Sequence, residues 1–153
     1  MKIFSLLGSL GGTVLFAAML AAAGAVDLGL SEVELADERA EMKQGLMFRR
    51  SLCADCAMVF VFPEARVRSF WMKNTFVPLD IIFLDGDGRI VTIRKNTKPH
   101  QKSPTYKSTA PARFVIEVNA GYAESKGLRP GQLVDLEALW KQSVEYRWNG
   151  VSP

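Results

Sequence analysis

Two apolar runs of strand length, Pro78–Leu84 and Arg89–Arg94, meet at Asp85-Gly86-Asp87-Gly88. Asp and Gly tolerate the backbone that a tight reversal needs, so this segment predicts a β-hairpin. The same Asp-Gly repeat invites a calcium reading. An EF-hand loop needs further carboxylates and a late Glu, and these are missing, so the segment is read as a turn. Ala57–Phe62 is almost continuously apolar, with β-branched and aromatic members, and predicts a buried strand stopped by Pro63. Val67–Met72, Arg113–Val118 and Gln132–Leu136 predict further strands, and the alternating Ser31–Leu35 an edge strand. Between them fall a short helix from an Asp37 N-cap to Gln44-Gly45 and a second over Ala120–Lys126, closed by Gly127. Leu136, Leu139, Trp140 and Val144 recur at helical spacing, with Trp140 and Trp148 expected to pack on the body. Lys95–Pro111 reads as one long loop. With no βαβ alternation, the expected class is α+β, mostly β: a strongly bent antiparallel sheet or small barrel with two or three short helices.

The chain begins with Lys2 and then carries no charge from Ile3 to Val26, ending in Ala23-Gly24-Ala25. A basic start, an apolar middle and small residues before a cut are the plan of a secretory signal, here cleaved after Ala25. The alternative is a retained membrane anchor over residues 3–25, since crossing a hydrocarbon core takes about 20 residues. Gly8, Gly11 and Gly12 weaken that helix. The organisation expected is therefore a signal peptide over 1–25, a β-rich domain over 26–136 and a helical extension over 137–153. The expected location is periplasmic or extracellular, or the inner membrane if the leader stays.

Removing residues 1–25 from 153 leaves 128, enough for one core. It also lowers the net charge from +3 to about +2, which lacks the domain-wide basic face of a nucleic-acid binder. No nucleic-acid partner and no cofactor are expected. Cys53 and Cys56 are the two cysteines, and an oxidising compartment allows a small disulfide between them. A redox role favours a Cys-x-x-Cys pair that opens a helix, where the N-terminus steadies the thiolate. A zinc site needs two more ligands of similar spacing, and the chain has one His, His100; no metal is expected.

Five blocks then stand in order: Gly45-Leu46-Met47-Phe48-Arg49, Met58-Val59-Phe60-Val61-Phe62-Pro63, Phe70-Trp71-Met72-Lys73-Asn74-Thr75 with Pro78-Leu79-Asp80, Ala110-Pro111-Ala112, and Glu117-Val118-Asn119-Ala120-Gly121. Together they resemble the bacterial and archaeal domain-of-unknown-function family 192, over about Glu32 to Leu136. The resemblance implies a β-rich α+β fold, often exported, and no known activity. The cysteine pair and the segment after Leu136 lie outside the family pattern, so no role is carried to them.

Trp71, Lys73, Asn74, Asp80 and Arg49 form the candidate binding set. In an alternating strand Phe70 and Met72 face one way and Trp71 and Lys73 the other. An exposed Trp beside Asn74 and Asp80 suits a glycan or a flat apolar ligand; the other reading places Trp71 in the core, with Asn74 shaping a turn. Asp80 sits in an apolar strand and needs a partner, for which Arg49 and Arg68 are candidates. Three functions remain open. One is a non-enzymatic binding or accessory protein of the cell envelope, partnered by a small ligand, a glycan or an envelope protein. The second is a cell-envelope hydrolase using Asp80 with Glu64 or Glu117. The third is a thiol redox helper through Cys53 and Cys56. A membrane enters only if the leader is retained.

Overall fold

The computed structural model describes residues 24–148, with side chains described up to residue 143. The leader up to residue 23 and the Trp148 side chain lie outside the described residues. Nine strands and three helices follow in chain order. They are β1 (Ala25–Val26), β2 (Glu32–Ala36), α1 (Arg39–Gln44), β3 (Cys56–Arg66), β4 (Ser69–Phe70), β5 (Leu79–Leu84), β6 (Ile90–Arg94), β7 (Tyr106–Lys107), β8 (Ala112–Asn119), α2 (Tyr122–Ser125), β9 (Leu133–Val134) and α3 (Leu136–Trp148). Five strands form an open, bent sheet in the order β2-β3-β8-β5-β6, and two small ladders, β1-β9 and β4-β7, flank it.

The class is the expected α+β, mostly β, and the sheet does not close into a barrel. It is not wholly antiparallel: β2 and β3 pair in parallel, Glu32 opposite Cys56 through Ala36 opposite Phe60. Parallel neighbours need a crossover of a dozen or more residues, and α1 with the loop after it supplies one. The chain therefore contains a single βαβ unit, contrary to the expectation of none. α1 is too short and polar to show this by periodicity.

β3, β8 and β5 are covered on both faces, which explains their near-continuous apolar runs. One face packs Val59, Ile82, Leu84, Ile116 and Val118 under Leu28, Leu30 and Leu139. The other packs Phe60, Leu79, Ile81, Phe83 and Val115 under Leu46 and Met72. Each such large side chain, taken fully out of water, stabilises the fold by about 1.5–3 kcal/mol.

Several boundaries move from their predicted places. β3 continues through Pro63 to Arg66, because the ladder with β8 is irregular between Val61 and Arg66 and the missing N–H interrupts no bond there. Helix α1 is capped by Glu38 rather than Asp37, in a reciprocal box with Glu41. Only Ser69 and Phe70 of the Val67–Met72 run form a strand, β4, and they pair with β7 inside the predicted long loop. The hairpin β5-β6 is present, with Asp85 Oδ1 accepting from the N–H groups of Asp87 and Arg89 at 3.0 and 2.9 Å. α3 lies where the apolar spacing places it, with Trp140 edge-on to Phe114 at 5.4 Å.

Candidate functional site

Two of the sequence blocks meet on the α1 side of the sheet. α1 ends at Gly45, whose φ of 50° and ψ of −137° suit glycine, and the chain turns inward as Leu46. A Cβ on Gly45 would stand 3.3 Å from the Phe60 ring and 3.8 Å from Glu117 Oε2, so the absent side chain leaves space above both. Opposite, Met72-Lys73-Asn74-Thr75 makes a turn closed by the Thr75 N–H donating to Met72 O at 3.2 Å. Asn74 takes φ 54°, which Asn tolerates. Its carbonyl accepts from the Phe48 N–H at 2.8 Å, and that bond ties the two blocks together.

Between them opens a cleft of about 260 Å³, its open mouth included. Met42, Met47, Phe60, Phe70 and Trp71 line it, with Lys43, Gln44 and Thr75. Phe70 stands edge-on to Phe60 at 4.9 Å and to Phe83 at 5.8 Å, so the aromatic wall is continuous with the core. Glu117 from β8 also lines the cleft, flanked in register by Met58 and Ile81. Its side chain is 4% exposed. No group among the described residues hydrogen-bonds or ion-pairs its carboxyl, and its oxygens keep some contact with solvent, since no fully buried side-chain oxygen among the described residues lacks a partner. Burial alone pushes its pKa up to about 8.

The predicted binding set is divided by this geometry. Trp71 is 44% exposed at the cleft, beneath the Lys73 ammonium, which lies 5.3 Å from the ring centre. Asn74 shapes the turn. Arg49 forms an ion pair with Glu34 on β2. Asp80 lies elsewhere. It is fully buried, its Oδ1 accepts from the Asn96 N–H, and its Oδ2 accepts from Gly121 and Ala123 at the start of α2. Those three N–H groups satisfy the carboxylate, so neither expected arginine is its partner. Arg68 instead donates to the carbonyls of Glu64 and Ala112.

The acid pairs suggested for hydrolysis are likewise not brought together. Asp80 is opposite Val118 and Glu117 opposite Ile81, so the two carboxyls emerge on opposite faces of the sheet. Glu64 is on β3, seven residues beyond Ala57, which shares with Asp80 the β8 neighbour Val118; at about 3.3 Å per residue that is roughly 23 Å. Cys53 and Cys56 are joined by a disulfide. Cys53 is exposed, Cys56 is buried at the start of β3, and Cys56 Sγ lies 3.2 Å from Glu32 Oε2. The pair opens the strand β3 rather than a helix.

Sequence reasoning named Glu117 only as an acid to work with Asp80 in hydrolysis. Its central place was foreshadowed by one signal: a carboxylate inside an apolar strand, spaced from Val115 so as to share its face.

A family model for the uncharacterized ACR, domain-of-unknown-function family 192, matches residues 21–136. The chain belongs to this family. Two solved structures are similar. One is a Sinorhizobium meliloti 1021 protein, provisionally described as a transcription regulator. It is 42% identical, with a TM-score of 0.64, over 66% of this chain and 78% of that one. The other, from Novosphingobium aromaticivorans DSM 12444, is described as of unknown function. It is 38% identical, with a TM-score of 0.64, over 67% of this chain and 73% of that one. No curated protein matches the chain.

Proposed function

We propose that this chain is an exported, non-enzymatic binding or accessory protein of the cell envelope, and that the cleft above Glu117 is its ligand site. The observation that carries the reading is a largely buried carboxyl with no partner among the described residues, facing a cleft walled by Phe60, Phe70 and Trp71. A buried polar group normally has its hydrogen bonds made within the fold. One left open toward a small aromatic cleft is suited to a ligand. The lining holds a single carboxyl and no His, Ser or Cys. That composition favours binding over hydrolysis.

The leader, basic at Lys2, uncharged from Ile3 and ending in Ala23-Gly24-Ala25, supports export. Among the described residues no helix is long and apolar enough to cross a membrane. Export would also keep the chain from the chromosome, so the regulator description of the Sinorhizobium meliloti protein is not carried over.

The test is recovery of the protein from an expressing cell, followed by mass spectrometry of whatever stays bound and by fractionation. The reading expects a small molecule that is retained by the native protein and lost from Glu117→Gln. A full-length chain free in the cytosol would refute the location, and steady turnover would refute the non-enzymatic role.

A further inference from the structure

The interior of the cleft has one electrical character. Glu117 lies at its floor, the π-electrons of Phe60, Phe70 and Trp71 form a wall, and the thioethers of Met42 and Met47 are further soft acceptors. The donors of the lining, Lys43 and Gln44, are exposed at the rim. Thr75 Oγ1 is occupied with the Lys73 carbonyl at 3.3 Å. Aromatic faces attract cations, most strongly where water is excluded. Trp71 already shows this with Lys73 above its ring. A carboxylate in such a place lacks only a counter-charge, and none reaches it among the described residues. Arg49 is engaged with Glu34, and no bond joins Lys43 to Glu117.

We propose that the ligand of this cleft is a small organic cation, a primary alkylammonium group at the end of an unbranched chain, whose head pairs with the Glu117 carboxylate while its carbons lie against Phe60, Phe70 and Trp71. This rests on the binding reading above and narrows it.

The pairing moves a proton. Glu117 carries its proton at neutral pH in the free protein, since its pKa is raised to about 8. The ammonium is favoured by the ionised form, so binding drives the Glu117 proton to solvent while the ammonium keeps its own. The groups facing Glu117 are few. α1 contributes Lys43, β3 and β4 contribute Phe60 and Phe70, and the 71–75 segment contributes Trp71 and Thr75. Met58 and Ile81 flank it in register. Lys43 is thus the other titratable group of the lining.

The experiment is calorimetry on the exported protein with n-butylammonium chloride and, as its neutral counterpart, n-butanol, in two buffers of different ionisation enthalpy. Butylammonium is expected to bind at least tenfold more tightly than butanol and to release close to one proton per molecule at pH 6.5. Its affinity should rise about tenfold per pH unit from pH 6 and level off above about pH 8. Glu117→Gln should abolish the preference and the proton release while still admitting butanol. The wild-type pH series makes the test independent of how that variant folds. Butanol binding as well as butylammonium would overturn the cation and leave the cleft a binding site. Failure of both probes to bind the wild type would overturn the cation and the cleft together.

Discussion

Asp80 and Glu117 sit one register step apart on neighbouring antiparallel strands, yet their carboxyls leave the sheet in opposite directions. One is saturated by three backbone N–H groups; the other has no partner among the described residues. The same chemical group therefore does two jobs. Asp80 holds the turn into α2, and Glu117 is left available to the cleft.

Asp80→Ala strands one buried N–H donor, that of Ala123, and two part-buried ones, those of Asn96 and Gly121. A buried donor left unsatisfied costs about 1–3 kcal/mol, so the variant should lose about 2 kcal/mol or more. Urea unfolding should show a lower midpoint with an unchanged slope. A loss below about 1 kcal/mol would show that water or a neighbour replaces the carboxylate.

Glu117 gives stability a pH dependence of defined sign. Its folded pKa, about 8, lies above the ordinary value of 4.5. Between those values the folded state binds a proton that the unfolded state does not, so this contribution falls as pH rises and is flat outside the window. Glu117→Gln removes the slope. The variant should be about as stable as wild type near pH 4.5 and more stable than it at pH 8, by an amount on the order of several kcal/mol at most. Thermal unfolding of both proteins across that range checks the sign; a difference that stays constant with pH would refute it.

Trp71 is half exposed and stands at the cleft mouth. Trp71→Ala should abolish ligand retention while lowering stability by about 1 kcal/mol or less. Calorimetry and a thermal melt on the same sample decide this. Equal loss of both properties would make Trp71 a packing residue.

The disulfide closes a loop of four residues, Cys53 to Cys56. Loop-closure entropy for so short a ring is worth about 2 kcal/mol. The double variant Cys53→Ser with Cys56→Ser should therefore remain folded and lose about that much in denaturant. Asn119 Nδ2, which donates to the carbonyls of Leu52 and Cys53 at 3.2 and 2.7 Å, should hold the loop in place without it. Complete unfolding would show that the bridge does more than close a ring.

What could be read from residues alone followed local chemistry. The β5-β6 hairpin was legible because its turn residues and both flanking runs agree, and β3, β5 and β8 because burial on both faces leaves apolar runs. The Gly45 terminator of α1 was legible for its backbone freedom, though not for the space it leaves over Glu117. The parallel pairing of β2 with β3 was not visible, since it depends on partners far apart in the chain. Nor was the division of Asp80 from Glu117, because the face each takes depends on register between strands. The Asp80–Arg49 pair failed for a related reason: backbone donors at Asn96, Gly121 and Ala123 carry no side-chain signature.

The ladder between β1 and β9 joins only Ala25 to Leu133 and Val26 to Val134. The cut expected after Ala25 falls inside it. A chain severed there would begin at Val26 and surrender half of a latch, while Leu28 and Leu30, two steps further in, would stay buried.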